Sequence, residues 1–168
     1  MTTTTPQFEY VLYDIEGDGL FDTVTKLWCA VMIDLPTGVT KGYRPAELEQ
    51  FVCDLSKAKL RVGHNILDYD DPTMNKLHGI WLPPETAVDT LVMSRLFYPD
   101  RPGGHSLKSW GIRLGCHKGD FDDFSQFTEE MYEYCLQDGN VNLVLLNYFL
   151  KNLKWTLEDL VKWRLKVG

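Results

Sequence analysis

The sequence predicts an α/β domain in which one mixed β-sheet is flanked by helices. Two observations support this. Three short apolar runs open the chain in an order that suits antiparallel pairing, and two further short strands then alternate with helical stretches. A sheet that starts antiparallel and continues as strand, helix, strand and helix is mixed, and it buries its faces under those helices.

Taken in order, Phe8 to Ile15 is apolar and aromatic-rich, too short for an ordinary helix, and stops at Glu16-Gly17-Asp18-Gly19. It reads as a buried strand with a polar C-terminal end. Leu27 to Ile33 and Val39 to Tyr43 flank the turn signature Pro36-Thr37-Gly38 and read as a hairpin. Pro45 suits a first helical position, and Leu48, Phe51, Val52 and Leu55 recur at helical spacing, so Ala46 to Lys57 is an amphipathic helix. Leu60 to Gly63 is a strand ending at His64-Asn65. The Asp71-Pro72 step starts a short helix through Leu77, with Asp71 as its cap. Ala87 to Asp89 is the fifth strand, and a helix capped by Asp89 runs from Thr90 to about Phe97. Ser106 to Leu114 is helical with Gly115 as its stop, and Thr128 caps a long helix whose positive first turn holds Glu129 and Glu130. The last helix, near Leu157 to Leu165, carries Leu157, Leu160, Val161 and Leu165 on one stripe, which suits packing on the domain or docking of a partner.

At 168 residues and 44% hydrophobic composition, residues 1–168 fit one domain, with residues 1–7 flexible and the amphipathic helix in 156–168. The 24 acidic against 17 basic residues give a net charge of -7, the wrong sign for coating a duplex backbone. That balance still permits a site that meets phosphate through bound divalent cations. The charge is uneven: Pro99 to Lys118 holds Arg101, Lys108, Arg113 and Lys118 against Asp100 alone, whereas Asp120 to Asp138 holds seven carboxylates and no Lys or Arg. Such runs, alone, are more often solvated faces. Cys29, Cys53, Cys116 and Cys135 are scattered without a CxxC pair, which suits a reducing cytoplasm. No signal peptide opens the chain and no apolar stretch reaches about 18 residues, so no membrane partner is expected.

Three elements carry chemistry. In Asp14-Ile15-Glu16, alternation along a strand sets the two carboxylates on one face and turns Ile15 into the opposite layer. Two adjacent carboxylates repel unless a cation sits between them, and hard oxygen ligands suit Mg²⁺ or Mn²⁺. An isolated DxE is more often a pair of exposed acids fraying into a turn; Gly17 and Gly19 count against that, since they let a ligand approach the backbone. The second element, His64-Asn65-Ile66-Leu67-Asp68-Tyr69-Asp70-Asp71-Pro72, is a strand end feeding a helix, a natural ligand-binding loop. Third, Tyr134 and Asp138 lie four apart on one helical face, where a structural hydrogen-bonded pair is the plainer alternative. Gly139 directly after Asp138 costs helix stability, which points to a close approach there.

In this order and spacing, the elements resemble the DEDDy group of DnaQ-like 3′→5′ exonucleases, with their DxE strand, loop ending in Tyr-Asp or Phe-Asp, and YxxxD helix. The resemblance runs over roughly residues 10–150 and is closest to the proofreading domain of family-A DNA polymerases of T-odd-like podoviruses. It is carried further by the runs Thr23 to Lys26, Tyr43-Arg44-Pro45, Asp89 to Leu96 and His105 to Gly115. The DEDDh relatives place a histidine five residues before the last aspartate, and that position here is Glu133.

The resemblance implies a ribonuclease-H-like five-stranded sheet and metal ligands at Asp14, Glu16, Asp70 and Asp138. Asp14 would bridge two divalent ions, Mg²⁺ or Mn²⁺, which activate the attacking water and stabilise the leaving 3′ oxygen. Tyr134 would position that water, because a phenol with a pKa of about 10 is a poor base at neutral pH. Ile15, Gly17, Leu20, Asn65, His105 and Lys108 are the implied substrate contacts. Among them Leu20 matches the family's wedge against the terminal bases, with turn packing as its alternative, and Asn65 meets the terminal nucleotide. His105 and Lys108 touch backbone phosphates or else form a solvated helix face. Trp110 and the other tryptophans are assigned to core. The implied substrate is a single-stranded or frayed DNA 3′ end, cut to nucleoside 5′-monophosphates in phage replication proofreading or DNA degradation. An RNA 3′-end trimmer and a non-catalytic polymerase-associated module are the alternatives. The start at Met1 favours a stand-alone nuclease in the host cytoplasm, with a separately encoded DNA polymerase as partner.

Overall fold

The computed structural model describes residues 5–166, so the expectation for residues 1–4 lies outside the described residues. Strands β1 (Tyr10–Gly17), β2 (Leu27–Asp34), β3 (Thr40–Tyr43), β4 (Leu60–Gly63) and β5 (Ala87–Asp89) form one sheet in the order β3-β2-β1-β4-β5. β2 pairs antiparallel with β1 and β3, while β4 pairs parallel with β1 and β5. The α/β class and the mixed five-stranded sheet are therefore as the element order implied.

Period-two alternation divides the sheet's side chains between two layers. Val11, Tyr13 and Ile15 pack with Ala30, Met32 and Tyr43 against Phe51 and Leu55 of α1 (Leu48–Ser56) and Met74 of α2 (Asp70–His78). Leu12, Val31, Ile33 and Val62 face the other way, onto α5 (Glu129–Leu153) through Met131, Cys135, Leu145 and Phe149. Met93 of α3 (Thr90–Phe97), Trp110 of α4 (Leu107–Leu114) and Leu160 of α6 (Leu157–Leu165) complete that layer. Each large apolar side chain so buried contributes about 1.5–3 kcal/mol, which is what orders helices too short to be stable alone. Gly139 lies where α5 crosses β2, and a Cβ there would stand 3.1 Å from Val31 Cγ1. The close approach it signals is helix on sheet.

Local signals set most ends. Asp89 accepts from the Leu91 N–H, Ser106 from Ser109 and Thr128 from Met131, while Gly115, at φ +70°, stops α4. Leu160 and Val161 are buried, so the apolar stripe of α6 packs on the sheet's helical layer.

Two expectations are corrected. Asp71 does not cap α2, whose N-cap, Tyr69, has no side-chain bond. Arg61 on β4 is 1% exposed, and a buried guanidinium requires a carboxylate; Asp71 Oδ2 lies 2.8 Å from its Nη2 and Asp71 Oδ1 also accepts from the Tyr13 hydroxyl. Nor are all the tryptophans core. Trp110 is 2% exposed, but Trp81 is 71% and Trp163 51%, because neither side chain is covered by a neighbouring layer.

Candidate active site

Three elements meet at the C-terminal end of β1. Alternation puts Asp14 and Glu16 on the α5 side of the sheet. Asp70, the first residue of α2, reaches back so that its Oδ2 accepts the Ile15 N–H at 3.3 Å. Asp138, from the middle of α5, lines one cavity of about 460 Å³ together with Asp14. Ile15 itself, expected as a substrate contact, is 3% exposed in the opposite core layer with its N–H taken by Asp70. Its place is structural, because the alternation that brings its neighbours to the site turns it away.

Such a cluster is electrostatically frustrated. Burial and then Asp138 push the Asp14 carboxyl up to about 8, against the pull of Lys118. Burial pushes Asp138 up to about 6, again opposed by Lys118. Glu16 and Asp70 are raised well above the carboxylate range, first by burial and then by Asp14. Asp14 Oδ2 and Asp138 Oδ1 are buried without a hydrogen-bond partner. Crowded oxygen donors with orphaned lone pairs fit a hard divalent cation, which would relieve both the repulsion and the missing bonds. Ligand atoms of Asp14, Glu16 and Cys135 lie within 4.8 Å of one another. The Cys135 thiol is raised well above its usual range by its hydrogen bond with Cys29 and by burial, so it keeps its proton and leaves the carboxylates as donors.

Tyr134 stands one turn before Asp138. Its ring packs against Phe121 and Phe124 at 5.6 and 6.4 Å between centroids, and burial raises its phenol despite the nearby Lys118. Lys118 was not singled out by sequence reasoning. Its Nζ lies 2.9 Å from Asp138 Oδ2 and 5.0 Å from the Tyr134 ring. Burial works against its charge, but Asp138 and Tyr134 more than offset that and raise its pKa. It sits in the irregular segment 115–128, where no periodicity could direct its side chain inward; its one signal was being the last cation before the acid-rich run.

A second cavity, of about 480 Å³, opens beside Glu16 and is lined by Gly17, Leu20, Asn65, Tyr69 and Phe124 among others. Leu20 is 79% exposed, so turn packing does not account for it. A Cβ at Gly17 would come within 3.0 Å of the Tyr69 hydroxyl and of Val24 Cγ2. Asn65 adopts a left-handed φ of 64° and lines both cavities, its N–H donated to Asp89 Oδ1 at 2.8 Å. His105 and Lys108 line the first cavity. His105 Nδ1 is 2.6 Å from Ser94 Oγ, which accepts from Trp110 Nε1 at 2.8 Å. Lys108 is exposed and 3.6 Å from Asp120 Oδ1.

A mixed sheet in the order β3-β2-β1-β4-β5, with helices packed on both faces, defines a fold class: the ribonuclease-H-like α/β fold. Among solved structures, the chain superposes on the apo form of a nuclease with a TM-score of 0.62 at 20% identity, over 86% of this chain and 72% of that one. NrnC of Brucella melitensis with bound Mg²⁺ gives a TM-score of 0.61 at 19% identity, over 92% and 79%. No family model matches. In sequence, the chain is 32% identical over 84% of its length to the DNA-directed DNA polymerase of Escherichia phage T7, and 32% over 83% to that of Enterobacteria phage T3. It spans 27% and 26% of those polymerases, about a quarter of their length. The chain thus has the ribonuclease-H-like fold of the DnaQ-like exonucleases and is a relative of the T7 and T3 phage DNA polymerases. Among the described residues, no helix is long and apolar enough to cross a membrane.

Proposed function

We propose that this chain is one DEDDy-type exonuclease domain that removes nucleoside 5′-monophosphates from single-stranded or frayed DNA 3′ ends. The observation that carries the reading is the gathering of Asp14, Glu16, Asp70 and Asp138 at the end of β1 beside Tyr134, with Asp14 Oδ2 and Asp138 Oδ1 buried and without a hydrogen-bond partner. These four carboxylates would hold two Mg²⁺ or Mn²⁺ ions, which supply Lewis acidity to the scissile phosphate and acidity to water. The Tyr134 hydroxyl, its pKa raised, keeps its proton and orients the attacking water. Leu20 presents an apolar side chain to the terminal base, Asn65 offers an amide to the terminal nucleotide, and Gly17 contributes to the wall of the same cavity, its missing side chain leaving room for Tyr69 and Val24 behind it. His105 and Lys108 face the adjoining phosphates. The similarity to phage polymerases supports DNA as substrate, a polymerase as partner, and work in proofreading or DNA degradation in the host cytoplasm.

The test is digestion of a 5′-labelled DNA strand and the matching RNA, with Mg²⁺ or Mn²⁺, beside EDTA and the Asp14→Ala, Glu16→Ala double variant. The expected result is a ladder shortened from the 3′ end of the DNA, absent from both controls. Cleavage that survives EDTA and the double substitution would overturn the reading, and faster cleavage of the RNA would reassign its substrate.

A further inference from the structure

Beyond the carboxylates, a separate groove of about 570 Å³ runs along α4, bordered by Arg101, Gly103, Ser109, Ile112 and Arg113. It adjoins the catalytic cavity, since Ser106 and Lys108 line both. Its cations are unspent: among the described residues neither Arg101 nor Arg113 is in an ion pair, and neither is Arg95, which lines the catalytic cavity. Lys108 pairs only with Asp120, whose side chain is 92% exposed, a contact that water and salt readily replace. The Arg101 guanidinium lies 3.9 Å from the Trp110 ring centroid and donates to Ser109 Oγ at 2.9 Å, so its position is set before any ligand arrives. Burial and the like charge of Arg113 both lower its pKa. In a chain of net charge -7, cations held together without a counter-charge imply an anion that comes from outside.

We propose that this groove holds the sugar-phosphate backbone of the single strand 5′ to the nucleotide being removed. The proposal rests on the exonuclease reading. The 3′ end lies at Asp14 and Asp138, the strand passes Lys108 where the two cavities meet, and its upstream phosphates lie over α4 against Arg101 and Arg113. Ile112, 60% exposed between these cations, offers apolar surface to a base or sugar. An eight-residue helix is about 12 Å long, room for a short run of one strand. The net charge argues against general duplex coating, and this track explains how an acidic protein can still grip a strand: a local group of cations without buried counter-charges lines the path that leads to the site.

The test compares wild type with Arg113→Gln and Arg113→Lys on two substrates: thymidine 5′-monophosphate p-nitrophenyl ester, too short to reach α4, and a 5′-labelled dT12. The glutamine variant is expected to raise KM for dT12 several-fold with little change in kcat, and to leave hydrolysis of the small ester at the wild-type rate. Its log-log dependence of dT12 affinity on salt should fall by about 0.7, the contribution of one single-strand phosphate contact. Arg113→Lys should keep both. Equal KM values and equal salt slopes for wild type and Arg113→Gln on dT12 would overturn the proposal. Failure of the exonuclease reading looks different: neither substrate is cut, and anisotropy of fluorescein-labelled dT12 in Mg²⁺ then reads the groove alone. Weaker binding by Arg113→Gln upholds the groove in that case, and unchanged binding sinks it.

Discussion

Lys118 and Asp138, 2.9 Å apart, show what single residues contribute beyond the carboxylate motif. The ammonium offsets part of the repulsion that Asp14, Glu16 and Asp138 exert on one another. Replacing it with an isosteric apolar chain, Lys118→Met, should destabilise the metal-free protein by about 2 kcal/mol in urea denaturation, less than a fully buried pair costs because Asp138 can take up a proton. Adding Mn²⁺ should restore much of that loss, and an unchanged unfolding midpoint would show the pair to be idle. Tyr134 makes a complementary case. Tyr134→Phe keeps the ring against Phe121 and Phe124 but removes the hydroxyl, so turnover of a DNA strand should drop about 100-fold. The Mn²⁺-induced rise in melting temperature should persist; its disappearance would make Tyr134 a ligand instead of a positioning group.

Among elements, the junction between β4 and α3 sets the far wall of the site. His64, at the end of β4, places Nε2 3.0 Å from the His105 carbonyl, which can only accept, so that nitrogen carries the proton and Nδ1 faces Thr90 Oγ at 2.8 Å. Thr90 is also held by Asn142 of α5 at 2.8 Å, and Asp89 clamps the Asn65 and Leu67 N–H groups while capping α3. Strand, loop and two helices are locked by one polar chain. Burial pushes His64 down to about 4, against an ordinary value of about 6.5. The unfolded chain therefore takes up a proton near pH 6.5 and the folded chain only near 4. Stability from this group is complete above about pH 6.5 and is lost as pH falls through that window. The stability difference between wild type and His64→Gln should shrink by about 3 kcal/mol between pH 7 and pH 4 in parallel denaturant titrations, a comparison in which the other titrating groups cancel. A difference that stays constant with pH would show that His64 does not titrate there.

For the whole molecule, the mixed sheet and its two helical layers bury four acidic groups side by side, and folding energy is spent either on crowding their charges or on keeping them protonated. Binding of a cation to the folded state alone returns about 2.7 kcal/mol at a hundredfold excess over its Kd. Mn²⁺ should accordingly raise the wild-type melting temperature, and EDTA should reverse the rise. Asp14→Asn, which removes one buried ionisable group from the cluster, should melt higher than wild type in EDTA, most clearly above about pH 8 where the Asp14 carboxyl is charged, and show no rise with Mn²⁺. A wild-type melting temperature indifferent to Mn²⁺ would sink the metal assignment.

The sequence by itself determined what depends on short-range periodicity and local bonding. The α/β order, the caps at Asp89 and Thr128, the span of the last helix, and the placing of Asp14 and Glu16 on one face with Ile15 opposite were all legible, because each follows from spacing within a few residues. Tertiary structure alone decided what depends on which distant groups share a layer. It sent Asp71 to the buried Arg61 instead of a helix N-terminus, left Trp81 and Trp163 exposed, brought Lys118 across an irregular segment to Asp138, and set Arg101 and Arg113 in a groove that adjoins the cavity of Asp14 and Asp138. Pairings of this kind are fixed by the relative placement of packed elements, and residue identity and spacing along the chain do not carry that information.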